Sequence, residues 1–282
     1  GSTRRRYREL ERMSRDIDRI LHGQEQQVLP QQEEGELAIL RSEIGKMTVR
    51  LRENAQRQQE ERVRLADAMA DISHQLRTPL TAINLTLSML GREGLPEQER
   101  RALLQELRRL VTRMEWLVET LLKMSRIDAG AVSFREESCR AADIIRRAVQ
   151  PLAVPMELRG ITLETAAGEE CFTGDAAWSA EALGNVLKNC MEHAASYIRV
   201  SARETALFTE ITVQDDGPGF RAEDLPRLFE RFYRGKDAAP ASVGIGLALA
   251  RMVLSAQNGT IRADNACPGG ALFTLRWYRS TV

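Results

Sequence analysis

Residues 70–81 read Ala-Asp-Ile-Ser-His-Gln-Leu-Arg-Thr-Pro-Leu-Thr, a strongly helical run holding His74, one of only three histidines in the chain. His74 falls between Ile72 and Leu76 in an apolar seam that runs Leu65, Met69, Ile72, Leu76, Ile83, Leu87 and Leu90. Its imidazole is therefore expected to point away from a helical core. Pro79 withholds the amide that would bond the carbonyl of Gln75, and its ring strains that turn. A kink beside an exposed histidine gives the backbone room to adjust around it. Thr78, four residues on, places a hydroxyl on the same face. A neutral imidazole is a competent nitrogen nucleophile at neutral pH. A surface histidine without a task is the plain alternative, and these neighbours weigh against it.

Downstream, Gly91-Arg-Glu-Gly-Leu-Pro96 reads as a turn. A second helix then repeats the seam as Leu103, Leu107, Leu110, Met114, Leu117, Leu121 and Met124. A further apolar row, Leu104, Val111, Val118 and Leu122, makes the face wider than one hairpin can bury. A four-helix bundle built from two chains is the expectation. Upstream, Leu37, Leu40, Ile44, Met47 and Leu51 recur in steps of three and four, the coiled-coil signature. A shorter amphipathic stretch at Leu10, Met13, Ile17 and Ile20 or Leu21 precedes it, separated by residues 23–35 with Gly23, Pro30 and Gly35.

After Gly130 short strands alternate with helices. Strands are expected at Val132–Phe134, Ile161–Thr165 and Cys171–Thr173, and helices over 141–154 and Ala176–Ala195. Two hairpins follow, Ile198–Arg203 with Leu207–Val213 and Thr260–Asn265 with Ala271–Arg276. One sheet with helices on one face gives a two-layer α/β sandwich. Four clusters in this part carry chemistry. Asn185 and Asn189 share a helix face and could ligate Mg²⁺ through carboxamide oxygens, although such pairs are often plain polar surface. Asp215-Asp216-Gly217-Pro218-Gly219 follows a strand; its glycines let the backbone approach a flat ligand, and a carboxylate there can accept from an amino group. Leu228-Phe229-Glu230-Arg231-Phe232-Tyr233-Arg234-Gly235 sets aromatics among cations, with Arg231 or Arg234 able to reach phosphates. Gly244-Ile-Gly246-Leu247 opens a helix whose N-terminal amides suit a polyphosphate.

Ser73-His74-Gln75-Leu76-Arg77-Thr78-Pro79-Leu80 resembles the H-box of sensor histidine kinases of two-component systems, and Leu121-Leu122-Lys-Met-Ser125-Arg-Ile-Asp128-Ala-Gly130 ends the hairpin as in that family. The four later clusters, in this order, resemble the N, G1, F and G2 boxes of the Bergerat (GHKL) ATP-binding fold shared with DNA gyrase and the heat-shock chaperone ATPases. The resemblance implies a protein-histidine kinase: His74 is autophosphorylated from Mg-ATP and passes phosphate to an aspartate on a response regulator receiver domain. It implies that Thr78 positions water for dephosphorylating that regulator, that Asp215 reads adenine, and that Asn189, with Asn185, holds Mg²⁺. A short ATP lid is implied near 232–242. Residues 3–55, with Glu34-Gly35-Glu36-Leu37, are similar to a HAMP signal-relay module, or form a plain dimerising coiled coil.

The sequence departs from the family pattern at several positions. Gln75 stands where an acid usually takes the imidazole proton, and an amide cannot. Glu192 replaces the phosphate-contacting lysine, with His193 after it, so that Lys188 or the cations near Arg234 substitute. Ser242 replaces the first G2 glycine. Asn185 stands where gyrase-type ATPases carry a water-activating glutamate, and an asparagine cannot be that base. A weak or pseudo-kinase acting mainly as a phosphatase or an ATP-binding relay scaffold is the alternative.

The totals fit. Lys+Arg and Asp+Glu are 40 each, which argues against a nucleic-acid partner. Cys139, Cys171, Cys190 and Cys267 are widely spaced, as in a reduced cytosolic protein without a zinc site. Gly1-Ser2 reads as a cloning scar, and Arg4-Arg5-Arg6 as the basic cluster inside a missing membrane segment, so a cytoplasmic fragment of a bacterial, membrane-anchored homodimer is expected. The expected layout is 1–55 relay segment, 56–131 phosphotransfer hairpin and 132–282 ATP-binding domain.

Overall fold

The computed structural model describes residues 36–235, 242–267 and 269–279. The expected first helix and connector at 3–35, and most of the expected lid, lie outside the described residues. The chain forms two compact units, Gly1–His74 and Gln75–Val282.

Helix α1 (Glu36–Leu90) is unbroken and passes through Pro79. Hydroxyls along it, such as Ser73, Thr81 and Thr86, bond the carbonyl four residues back. It ends where Gly91 donates to the Leu87 carbonyl and Gly94 takes a left-handed φ of 76°. Helix α2 (Glu97–Asp128) starts after Pro96 with Glu97 and Glu99 in its first turn, where acids favour the helix dipole. Of its buried residues, Leu110, Leu117 and Met124 belong to the predicted seam, and Thr120 lies beside it.

Beyond Gly130 the elements are β1 (Glu137–Arg140), α3 (Ala141–Val149), a 3₁₀ turn (Gln150–Leu152), α4 (Ala153–Leu158), β2 (Thr162–Ala166), β3 (Cys171–Gly174), α5 (Ala176–His193), β4 (Tyr197–Glu204), β5 (Phe208–Asp215), α6 (Gly246–Ala256), β6 (Gly259–Asn265) and β7 (Ala271–Tyr278). Two expectations change. Val132–Phe134 is not a strand: Phe134 packs against Trp178 and the amide of Arg135 donates to Asp175, so side chains, not a ladder, anchor the segment. The helix expected over 141–154 is split by a 3₁₀ turn at Pro151, which lacks the amide a continuous helix needs there.

The main sheet has the order β2-β4-β5-β7-β6, parallel only between β2 and β4. β1 and β3 form a separate antiparallel pair. Alternation along the strands turns Ile198, Val200, Ile211, Val213, Phe273 and Leu275 to one face, where all are fully buried. Leu183, Val186 and Leu187 of α5 and Leu249, Val253 and Leu254 of α6 cover them. The other face is polar, with Glu210 between Arg203 and Arg276. The result is a two-layer sandwich with the ends of β5, α5 and α6 meeting at one edge. Leu117 and Met124 of α2 belong to the same core, and α2 packs against α6.

Candidate functional site

At that edge lies a cavity of about 420 Å³. Of the residues singled out in the sequence, Asn185, Lys188, Asn189, Glu192, His193, Asp215, Gly219, Arg234, Gly244, Gly246 and Leu247 line it. Strand pairing and one helix thus bring together clusters far apart in the chain. Gly217, Phe229 and Arg231 are not in the lining.

Asp215 ends β5 and is 1% exposed. Its Oδ1 accepts from the amides of Gly217 at 2.9 Å and Ala271 at 3.0 Å. Its Oδ2 is buried without a hydrogen-bond partner. An unpaired buried carboxylate oxygen costs stability unless a donor meets it, and it is here that an amino group on a ligand fits. Cys190 lies behind; burial first, then the Asp215 charge, pushes its thiol well up, so it stays neutral. Asp216 is otherwise engaged. It accepts from the amides of Ala195, Ser196 and Tyr197 and from the Ser196 hydroxyl at 2.6 Å. Desolvation opposes its ionisation, but the Ser196 hydroxyl and these amides prevail and hold its carboxyl at about 2.

Asn185 donates its Nδ2 to the Glu181 carbonyl at 3.0 Å, which leaves Oδ1 on the side of Gly246. A Cβ on Gly246 would stand 2.9 Å from that oxygen. Gly246 starts α6 with no side chain capping its amides, so the helix presents free donors and its positive end to the cavity. Gly244 is left-handed (φ 75°), and a Cβ on it would run into the Tyr233 carbonyl. The donor set suits a nucleotide, and two carboxamide oxygens suit Mg²⁺ with its waters. No group of three or more His, Cys, Asp or Glu side chains gathers as a metal centre among the described residues.

The two arginines considered for phosphate part company. Arg231 donates to both carboxylate oxygens of Asp128, at 2.6 and 2.8 Å, at the end of α2. Arg234 lines the cavity. Phe229 packs against the core, and Phe232 holds an unusual φ of 61° while its amide donates to the Gly244 carbonyl. Sequence reasoning missed Trp116, Phe220, Asp224 and Tyr233 in the lining. Tyr233 donates to Asp224 and stacks under Arg227, a clasp between residues whose pairing no spacing announces.

On α1, His74 and Thr78 are exposed, Gln75 is half-buried and Pro79 is buried. The imidazole thus faces outward, as the seam position requires.

Two family models match: the His Kinase A (phospho-acceptor) domain over residues 64–130, and the histidine kinase-, DNA gyrase B- and HSP90-like ATPase over 174–281. The signal transduction histidine-protein kinase AfsQ2 of Streptomyces coelicolor is 33% identical over 74% of this chain and 41% of its own length. The histidine-protein kinase/phosphatase MprB of Mycolicibacterium smegmatis is 31% identical over 92% of this chain and 52% of its own. The chain thus spans about half the length of the curated relatives it matches. Among solved structures, the Acinetobacter baumannii histidine kinase AdeS superposes with a TM-score of 0.61 at 20% identity, over 74% of this chain and 98% of its own. Histidine kinase ThkA in complex with response regulator TrrA reaches 0.59 at 17%, over 81% and 66%. These likenesses show the fold: a helical region followed by a GHKL-type α/β domain. With a phosphoacceptor hairpin and an ATPase domain matched in this order, the chain belongs to the sensor histidine kinases.

Proposed function

We propose that the protein binds Mg-ATP in this cavity, transfers the γ-phosphoryl group to His74, and passes it to an aspartate of a response regulator. The unpaired Oδ2 of Asp215 carries the reading: it is the acceptor that an adenine amino group requires. The α6 amides and Arg234 face the phosphates. Asn185 and Asn189 would hold Mg²⁺. That ion, when bound, neutralises charge on the transferring group. His74 attacks the γ-phosphorus through a ring nitrogen; a P–N bond forms, the bond to the β-phosphate oxygen breaks, and ADP leaves. Gln75 orients the ring but takes no proton, so the proton passes to solvent. Asn185, being no base, leaves the γ-phosphoryl group for His74 rather than for water.

The layout that goes with this reading is a relay segment at 1–55, a phosphotransfer hairpin at 56–131 and the ATP domain at 132–282. The hairpin pairs with a second copy, because Leu104, Val111, Val118 and Leu122 are 41–59% exposed in one chain. A second reading, a regulator phosphatase with feeble kinase activity, is favoured by Gln75, by Glu192 and by the kinase/phosphatase relative. γ-Labelled ATP with Mg²⁺ separates the two. Acid-labile, base-stable label lost in His74→Ala is the outcome expected of the kinase. No label on the wild-type chain rejects it. The phosphatase reading then stands only if the protein speeds loss of phosphate from the regulator and Thr78→Ala does not.

A further inference from the structure

Trp116 belongs to the hairpin helix α2, yet it lines the cavity, and the ammonium of Lys188 sits 4.2 Å from its ring centroid. Lys188 lies on α5 between Asn185 and Asn189 and lines the same cavity. Among the described residues its partner is an indole face rather than a carboxylate, which attracts the charge without neutralising it. Glu192, where the family carries a phosphate-contacting lysine, lines the cavity close by. Arg113, one turn before Trp116 on α2, feels both Arg234 and Glu192; burial first, then Arg109 and Arg234, push its guanidinium down, and Glu192 opposes them.

We propose that Lys188 is the cation that contacts nucleotide phosphate and that Trp116 holds it otherwise, so that phosphate and hairpin compete for one side chain. This rests on the reading of the cavity as an adenine-nucleotide site. A phosphate oxygen accepts a charge-assisted hydrogen bond from the ammonium, which outweighs attraction to a ring face. Two further polar contacts between α2 and the ATP domain among the described residues, Lys123–Glu181 at 2.5 Å and Arg231–Asp128 at 2.6 Å, are partly exposed pairs of the kind that contribute little. Withdrawing Lys188 therefore removes one of the polar contacts that hold α2. By linkage, the cost of breaking the indole contact is subtracted from nucleotide affinity.

The test has opposite signs for the two residues. Calorimetric titration of the whole chain with ATP and with adenosine, in Mg²⁺, should show Trp116→Leu binding ATP about two- to fivefold more tightly than wild type. Lys188→Met should bind ATP about tenfold more weakly. On the Lys188→Met background Trp116→Leu should change nothing, Trp116→Tyr alone should behave as wild type, and adenosine affinity should stay constant throughout. If Trp116→Leu weakens ATP and adenosine alike, Trp116 is only a wall and the proposal falls. Tightening that persists without Lys188 also overturns it. Should neither ligand bind the wild-type chain, the adenine reading itself is wrong, a result distinct from both.

Discussion

Asp215 and Asp216 are adjacent carboxylates with opposite tasks, and nothing in the pair Asp-Asp says which is which. Backbone pairing decides it. Asp216 is spent on the loop between α5 and β4, while Asp215 keeps one oxygen buried and unpaired. Asp215→Asn should therefore lower adenine-nucleotide affinity by about ten- to a hundredfold, because a donor replaces the needed acceptor. The fold should persist, since Oδ1 still accepts from Gly217 and Ala271; calorimetry and thermal melting read the two effects separately. Asp216 titrates at about 2, below an unfolded value near ~3.9. Its contribution to stability is thus complete above pH ~4 and lost as the pH falls through about 2. In urea unfolding, the gap between wild type and Asp216→Asn should be constant from neutral pH to about 4 and close below it. Arg231 and Arg234 tell a similar story: three residues apart in one motif, one binds Asp128 and the other faces the cavity, and only the turn between them sets which.

Elements were largely legible, and their ends less so. Period-two alternation located β4 to β7, and seam spacing located α2, because burial of one face imposes both patterns. What failed did so where side chains replaced backbone pairing, as at Phe134, or where proline divided a helix, as at Pro151. The start of α5 shows a local rule that holds. Asp175 caps it, accepting from the amides of Ala177 at 3.0 Å and Trp178 at 3.1 Å, and its second oxygen takes the Arg135 amide. Asp175→Ala should cost about 1–2 kcal/mol in denaturant melts. Among the described residues, Phe232 and Asn258 are the non-glycine positions with positive φ. Asn258 ends α6 in a conformation asparagine tolerates. Phe232 accepts strain because its ring is packed against the core and its amide is paired, a reason invisible in the sequence.

For the whole molecule, the sequence showed a hairpin and a sandwich but not that α2 and the sandwich share one core. Leu117 and Met124 read simply as seam residues; their second neighbour, α6, depends on how distant elements pack. Trp116 was passed over for the same reason, as a residue beside the seam rather than in any motif. The uncovered row on α2 makes the assembly testable. Val111→Glu with Val118→Glu, at positions 41% and 42% exposed, should turn a dimer into a monomer in light scattering, with the melting temperature of the ATP domain little changed.

The bond from the Phe232 amide to the Gly244 carbonyl, 2.9 Å long, ties together two positions twelve residues apart in the sequence. In polymer terms such a bond closes a loop, whatever path the chain takes between its ends. Closure entropy grows by only about 0.6 kcal/mol for each doubling of such a ring. Its length is therefore almost invisible to the stability of the core, and selection can alter it by reference to the cavity alone.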